Sequence, residues 1–334
     1  MTVTSTETQE LEQQAEAFRA SVGALREQLA RTVVGQREAL ELLVTAIFAD
    51  GHVLIEGLPG LGKTLMAKAL SRGLCLGFNR IQFTPDLMPA DITGTTVLAA
   101  VGGDRSFSFE PGPIFTNLLL ADEINRAGPK TQSALLQAMQ EREVSLFGRH
   151  YPLPDPFIVC ATQNPVELAG TYPLPEAQLD RFLFKAVVTP PGEEELLAIA
   201  ERTTGGESAP PEACVTEGSI AAFRRLVRQV PIAAPVLRGI VRAVLATRPD
   251  DPASTPLVRR FVRHGVSPRG LQALVVAGKV HACLAGRFAV SMDDVRPFWL
   301  PALRHRIILD AGAGLEGIGP DRILQETAEL LRTA

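Results

Sequence analysis

The stretch Gly57-Leu58-Pro59-Gly60-Leu61-Gly62-Lys63-Thr64 has the residue types and spacing needed to hold phosphate. Its glycines let the backbone bend so that successive N–H groups converge on phosphate oxygens, and the helix that follows adds the positive end of its dipole. Lys63 would reach the β- and γ-phosphates of a nucleoside triphosphate, and the Thr64 hydroxyl would meet Mg²⁺. Pro59, Leu61 and Leu65 are counted in the same nucleotide contact. A second group is the acid pair Asp122-Glu123, which ends an apolar run. Asp122 can reach the Mg²⁺ shell, and Glu123 can polarise a water as general base. Asn164 sits at the tip of another apolar run, where an amide can hold the attacking water or touch the γ-phosphate; Asn before Pro165 is also an ordinary turn former. Arg181, beside Asp180, reads as a solvated charge, a helix cap or an arginine finger, and its neighbours in sequence do not choose among these. Arg269 falls in the first turn of a helix opened by Ser267-Pro268, where its charge opposes the dipole; a docked phosphate would explain it. Val33-Val34-Gly35-Gln36 forms either a lip over an adenine ring or a plain turn into the next helix.

These groups need a scaffold, and the hydrophobic pattern supplies one. Residues 52–56, 80–83, 114–121 and 157–162 are short apolar-rich runs that read as strands, and the first leads straight into the glycine-rich loop. Residues 84–113, rich in Gly and Pro, read as an inserted β-hairpin, and residues 143–156 as a second one turning at Phe147-Gly148-Arg149-His150. Residues 131–143 are an amphipathic helix. Leu11, Ala15, Phe18, Val22, Leu25 and Leu29 form one helical stripe, too short for a stable coiled coil and better packed on its own domain. Beyond residue 217 helical patterns dominate, including one continuous helix over 292–303. The expected organisation is a disordered segment 1–10, an α/β nucleotide-binding core over 11–190, a linker over 191–216 and a helical lid over 217–334.

Composition narrows the function classes. The 334 residues carry a net charge of −4, so no global basic field draws the protein to nucleic acid. The four cysteines are scattered and the five histidines do not cluster, so no metal site is expected on them; the cysteines read as small buried hydrophobes in a reducing compartment. No apolar run is long enough to span a bilayer, which points to a cytoplasmic protein.

Together these residues resemble the MoxR family of AAA+ ATPases. The likeness is carried by Val34-Gly35-Gln36, the loop 57–64, Asp122-Glu123-Ile124-Asn125-Arg126-Ala127, Ala161-Thr162-Gln163-Asn164-Pro165 and Tyr172-Pro173-Leu174-Pro175-Glu176-Ala177. Asp180-Arg181-Phe182, Ser267-Pro268-Arg269 and Leu303-Arg304-His305-Arg306 complete it. The resemblance implies a three-layer α/β/α domain with a parallel sheet and hairpin insertions, followed by a small all-helical lid. It also implies ATP with Mg²⁺ bound between neighbours in a homo-oligomeric, hexameric ring. It matches Asn164 to sensor 1, Arg269 to sensor 2 and Arg181 to the trans arginine, with Arg126 as a second candidate. It further implies chaperone-like work on a client enzyme together with a von Willebrand A domain protein, by metal or cofactor insertion. A nucleic-acid loader or motor and a magnesium-chelatase-like motor subunit are the competing roles.

Overall fold

The computed structural model describes residues 5–101, 104–166, 170–204 and 215–331. Five parallel strands form the central sheet in the order β2-β5-β8-β1-β9: β1 (Val53–Glu56), β2 (Phe78–Gln82), β5 (Leu118–Asp122), β8 (Ile158–Gln163) and β9 (Phe184–Val187). A parallel sheet is covered on both faces, which is why its inner strands are nearly unbroken apolar runs. Alternate residues divide accordingly. Val53, Ile55, Leu118, Leu120 and Ile158 join one core cluster, while Leu54, Leu119, Ala121, Val159 and Ala161 join the other, with Leu135, Leu136 and Met139 of the helix Pro129–Glu141. Between the core strands stand two antiparallel hairpins, β3 (Gly94–Val101) with β4 (Asp104–Pro111) and β6 (Glu143–Leu146) with β7 (Arg149–Pro152). The second turns through Phe147-Gly148, both at positive φ. Phe109 and Tyr151 stack at 4.0 Å and tie the two hairpins together.

The N-terminal helix runs from Ser5 to Thr32, so it begins inside the segment 1–10 expected to be disordered; residues 1–4 lie outside the described residues. Its apolar stripe is buried within the same chain. The Phe18 ring lies 4.8 Å from Phe48 and 4.7 Å from Phe223, and Leu25 packs on Gly73 so closely that a Cβ there would collide with it. Cys75 is exposed, unlike Cys160 and Cys283, and so departs from the expectation that the cysteines are buried; Cys214 lies outside the described residues.

Within 191–216 the described part includes the helix Glu193–Thr204. The C-terminal part is helical, its longer members being Glu217–Gln229, Ala234–Leu245, Pro268–Leu284 and Pro320–Ala328. One small β-ladder joins β10 (Val262–His264) to β11 (Ile308–Leu309). The helix expected over 292–303 is interrupted by a tight 3₁₀ turn, Arg296–Phe298, because Pro297 has no N–H to continue the α-helical ladder. Trp299, just beyond it, is buried and donates to the Leu324 carbonyl at 2.9 Å.

His52, at the start of β1, is buried as a neutral imidazole. Its Nδ1 accepts the Val159 N–H at 3.0 Å and its Nε2 bonds the Met139 carbonyl at 3.2 Å. Burial, helped by the Arg142 charge, lowers its pKa from 6.5 to about 3. His305 is also buried, and desolvation again holds it well below its ordinary value. Both rings bind protons more readily once unfolded, so stability is full above about pH 6.5 and falls as pH drops below it, each ring contributing a slope of about 1.4 kcal/mol per pH unit. Urea unfolding at pH 7.5, 6.0 and 5.0 should show this loss. His52→Gln should remove about half of the part due to the two histidines.

Candidate functional site

The carboxyl ends of β1, β5 and β8 bring the predicted groups together. The parallel register sets Glu56 beside Gln163 and Gln82 beside Asp122, and the Gly57 N–H donates to the Gln163 carbonyl at 3.2 Å. The loop after β1, the acids ending β5 and Asn164 after β8 therefore share one edge of the sheet. In the loop, Gly60 and Gly62 hold φ of 81° and 80°, a region costly for other residues, and a Cβ on either would enter open space. Gly62 caps the helix Lys63–Gly73, whose first N–H groups by helix geometry have no acceptor within the helix. Lys63 folds back on the loop, donating to the carbonyls of Gly57 at 2.5 Å and Leu58 at 2.9 Å. Partial burial pulls its pKa below the ordinary lysine value, against the opposing pull of Asp122 and Glu123. The two acids therefore help to keep it charged for an anionic ligand.

Asp122 is buried, and both of its oxygens are engaged. Oδ1 accepts the Thr162 hydroxyl at 2.5 Å, while Oδ2 accepts Arg80 Nε and Nη2 at 3.0 and 2.7 Å. Glu123 has left-handed backbone (φ 57°), anchored by its N–H to Thr162 Oγ1 at 2.8 Å. Its carboxylate accepts Gln82 Nε2 at 2.7 Å and Arg126 Nη1 at 2.9 Å. Arg126, the second candidate for an inter-subunit arginine, thus sits against its own chain's Glu123. Asn164 is buried, and its Oδ1 accepts the Val166 N–H at 3.2 Å, which fixes the side chain at the strand tip. Gln36 reaches the same end of the sheet, donating to the Thr189 carbonyl at 2.9 Å just after β9. Beside it, Val33, Val34, Gly35, Leu40 and Val44 line a cleft of about 600 Å³, which they share with the ion pair of Arg26 and Glu41. Thr64 Oγ1 and the Asp122 carboxylate are hard oxygen donors of the kind Mg²⁺ takes, so the residues present fit that ion.

Arg181 and Arg269 lie elsewhere. Both line a cavity of about 590 Å³ that also takes in Asp50, Gly51 and His52, the residues just before β1. The loop 57–64 leaves the other end of that strand, so these arginines and the glycine-rich loop occupy opposite ends of the sheet. Arg142, Arg228 and Arg306 line the same cavity. Arg181 donates to the Leu136 carbonyl at 2.7 Å, and Arg269 lies 4.0 Å from Asp180. Asp180 supplies the local counter-charge that the helix dipole at Arg269 denies it. Ser267 also turns to Asp180, donating at 2.9 Å, and does not cap its own helix with its side chain.

Sequence reasoning gave no role to Arg306, which clamps the two halves of the chain together. Its guanidinium is 3% exposed and donates to the Asp180 carboxylate at 2.8 Å, and to the carbonyls of Asp180, Phe182 and Leu183 at 3.0, 2.6 and 3.0 Å. His305 beside it bonds the Phe182 carbonyl at 3.0 Å. Arg306→Met should cost about 3 kcal/mol, because it takes the nearest cation from the half-buried Asp180 carboxylate, which keeps only Ser267 and the more distant Arg269, and leaves several carbonyls without their donor. Chemical denaturation checks this, and Arg306→Lys should recover only part of the loss, since an ammonium cannot reproduce the planar fork.

The chain matches the ATPase family associated with various cellular activities (AAA) over residues 52–184, and the AAA lid domain over residues 255–327. Chaperone MoxR1 of Mycobacterium tuberculosis is 41% identical over 304 residues, which are 89% of this chain and 79% of that protein. The chain belongs to the MoxR family of AAA+ ATPases. Protein MoxR of Methylorubrum extorquens is 35% identical over 312 residues, covering 88% and 89% of the two chains. A solved candidate ATPase from Cytophaga hutchinsonii superposes with a TM-score of 0.90 at 36% identity, over 97% of this chain and 98% of its own. A MoxR-family chain binds and hydrolyses nucleotide, the activity that the loop 57–64 and the acids of β5 lead one to expect. Among the described residues, no helix is long and apolar enough to cross a membrane.

Proposed function

We propose that this MoxR-family ATPase works as a closed homo-oligomeric ring, hexameric by resemblance, that remodels or activates a partner protein in the cytoplasm. The observation that carries this reading is the separation of Arg181 and Arg269 from the P-loop of their own chain. A cradle at one end of the sheet and an arginine cluster at the other make a head-to-tail pair of surfaces, and such contacts close into rings. Each nucleotide would then be held by one subunit and completed by the next.

In this reading Gly57, Gly60, Gly62 and the start of the Lys63 helix hold the phosphates, with Lys63 released from its carbonyls onto the β- and γ-oxygens. Thr64 and Asp122 would hold Mg²⁺, which supplies charge neutralisation between the phosphates. Glu123 takes a proton from the attacking water, and Asn164 orients that water. Arg181 and Arg269 of the neighbouring subunit meet the charge that develops on the transferred phosphoryl group. Val33, Val34 and Gln36 flank the base. The lid and the arginines it carries move with the core contact at Asp180, so turnover at an interface can be passed on as a rigid-body motion. The hairpins, with exposed Phe107 and Phe147, face the client. The client class is a metalloenzyme loaded with metal or cofactor, worked on together with a von Willebrand A domain protein.

Capture tests this reading. A Glu123→Gln variant loaded with ATP and Mg²⁺ in lysate should retain its client, and mass spectrometry should then find a von Willebrand A protein with a metalloenzyme. Recovery of nuclease-sensitive DNA with replication or repair factors would overturn it in favour of a nucleic-acid loader.

A further inference from the structure

Arg80 has no part in the motifs that mark the family resemblance, yet it holds Asp122, the buried acid at the end of β5. It lies on β2, the edge strand of the sheet, two residues before Gln82 and on the same face. Two of its N–H groups converge on Asp122 Oδ2 at 3.0 and 2.7 Å, while Oδ1 is taken by the Thr162 hydroxyl at 2.5 Å. The two partners differ in freedom. Thr162 is completely buried and fixed, whereas the Arg80 side chain is 46% exposed and has solvent to swing into. Arg80 Nη2 also donates to Gln82 Oε1 at 2.9 Å, and Gln82 Nε2 donates to Glu123 Oε2 at 2.7 Å. One hydrogen-bonded chain thus runs from Asp122 through Arg80 and Gln82 to Glu123.

We propose that Arg80 is a resident counter-cation of Asp122 that a divalent cation must displace. The affinity of the site for Mg²⁺ is then set by competition with this guanidinium, and its departure loosens Gln82 and so reports metal loading to Glu123. The proposal rests on reading Asp122 as the metal-side acid. A guanidinium and a divalent ion a few ångströms apart repel strongly enough, even at a water-like dielectric, to change metal affinity about tenfold. The arginine is suited to the task because its planar fork places two donors on one oxygen, and a lysine could place only one.

The test is binding of a fluorescent ATP analogue, titrated with Mg²⁺ and repeated in EDTA, to the wild type, Arg80→Met, Arg80→Lys and Asp122→Asn. The Mg²⁺ half-point of Arg80→Met should fall about tenfold, with Arg80→Lys between it and wild type, while affinity in EDTA stays unchanged. An unchanged or higher half-point in both Arg80 variants would overturn the proposal. So would a loss of affinity in EDTA, which would make Arg80 a phosphate ligand. Asp122→Asn separates the two levels: wild-type Mg²⁺ dependence in that variant removes the metal-side reading of Asp122 itself, and the role of Arg80 with it.

Discussion

Arg181→Ala should leave ATP affinity nearly unchanged and lower turnover about 10³-fold or more, the usual effect of losing an arginine that stabilises a phosphoryl-transfer transition state. The reasoning is positional. Arg181 lines the cavity beside Gly51 and His52, at the end of β1 remote from the P-loop, so binding of nucleotide within one subunit does not draw on it. In the transition state the γ-phosphoryl oxygens gain charge, and an arginine brought in by the neighbour matters most there. Its one carbonyl bond, to Leu136, makes the substitution mild for folding, about 1 kcal/mol. Equilibrium binding of labelled ATP beside steady-state phosphate release separates the two effects. Wild-type turnover in this variant would sink the finger assignment.

Glu123→Gln should stall hydrolysis by about 10²–10⁴-fold, the range for a lost general base, while nucleotide stays bound. The amide is isosteric, and its oxygen can still accept the donors now on Oε2, Gln82 and Arg126. The backbone at residue 123, fixed by Thr162, need not move. What is lost is the capacity to take a proton from water. A single-turnover experiment shows this directly: bound ATP should persist through many wild-type turnover times. Rapid conversion to ADP would assign the base elsewhere.

The core of the site was legible because each part is a short contiguous string on a strand end. Gly57 to Thr64, Asp122-Glu123 and Asn164 each follow an apolar run, and a parallel sheet aligns such ends. The strand β9 escaped notice because its four residues include Lys185, whose amine pairs with Glu56 at 2.8 Å and breaks the apolar run. Arg80, Thr162 and Arg306 were invisible as partners of Asp122 and Asp180 for a different reason. Arg80 and Thr162 meet Asp122 across 42 and 40 residues, and Arg306 meets Asp180 across 126, so no local pattern encodes the pairing. Arg269 is the instructive intermediate. Its conflict with the helix dipole signalled an anion nearby, and the anion in this chain is the Asp180 carboxylate. The break at Pro297 could have been read from the sequence, since proline inside a helical pattern ends or kinks the helix.

The most direct test of the central claim, that one nucleotide is served by two subunits, is a mixing experiment. Arg181→Ala and Glu123→Gln subunits are each expected to be inactive alone. Co-expressed in equal amounts, they should recover roughly a quarter of wild-type ATPase activity, the share of head-to-tail interfaces that pair an intact Glu123 with an intact neighbouring Arg181. A mixture no faster than the average of the two parents would place both residues in the service of the same subunit's nucleotide and contradict the account.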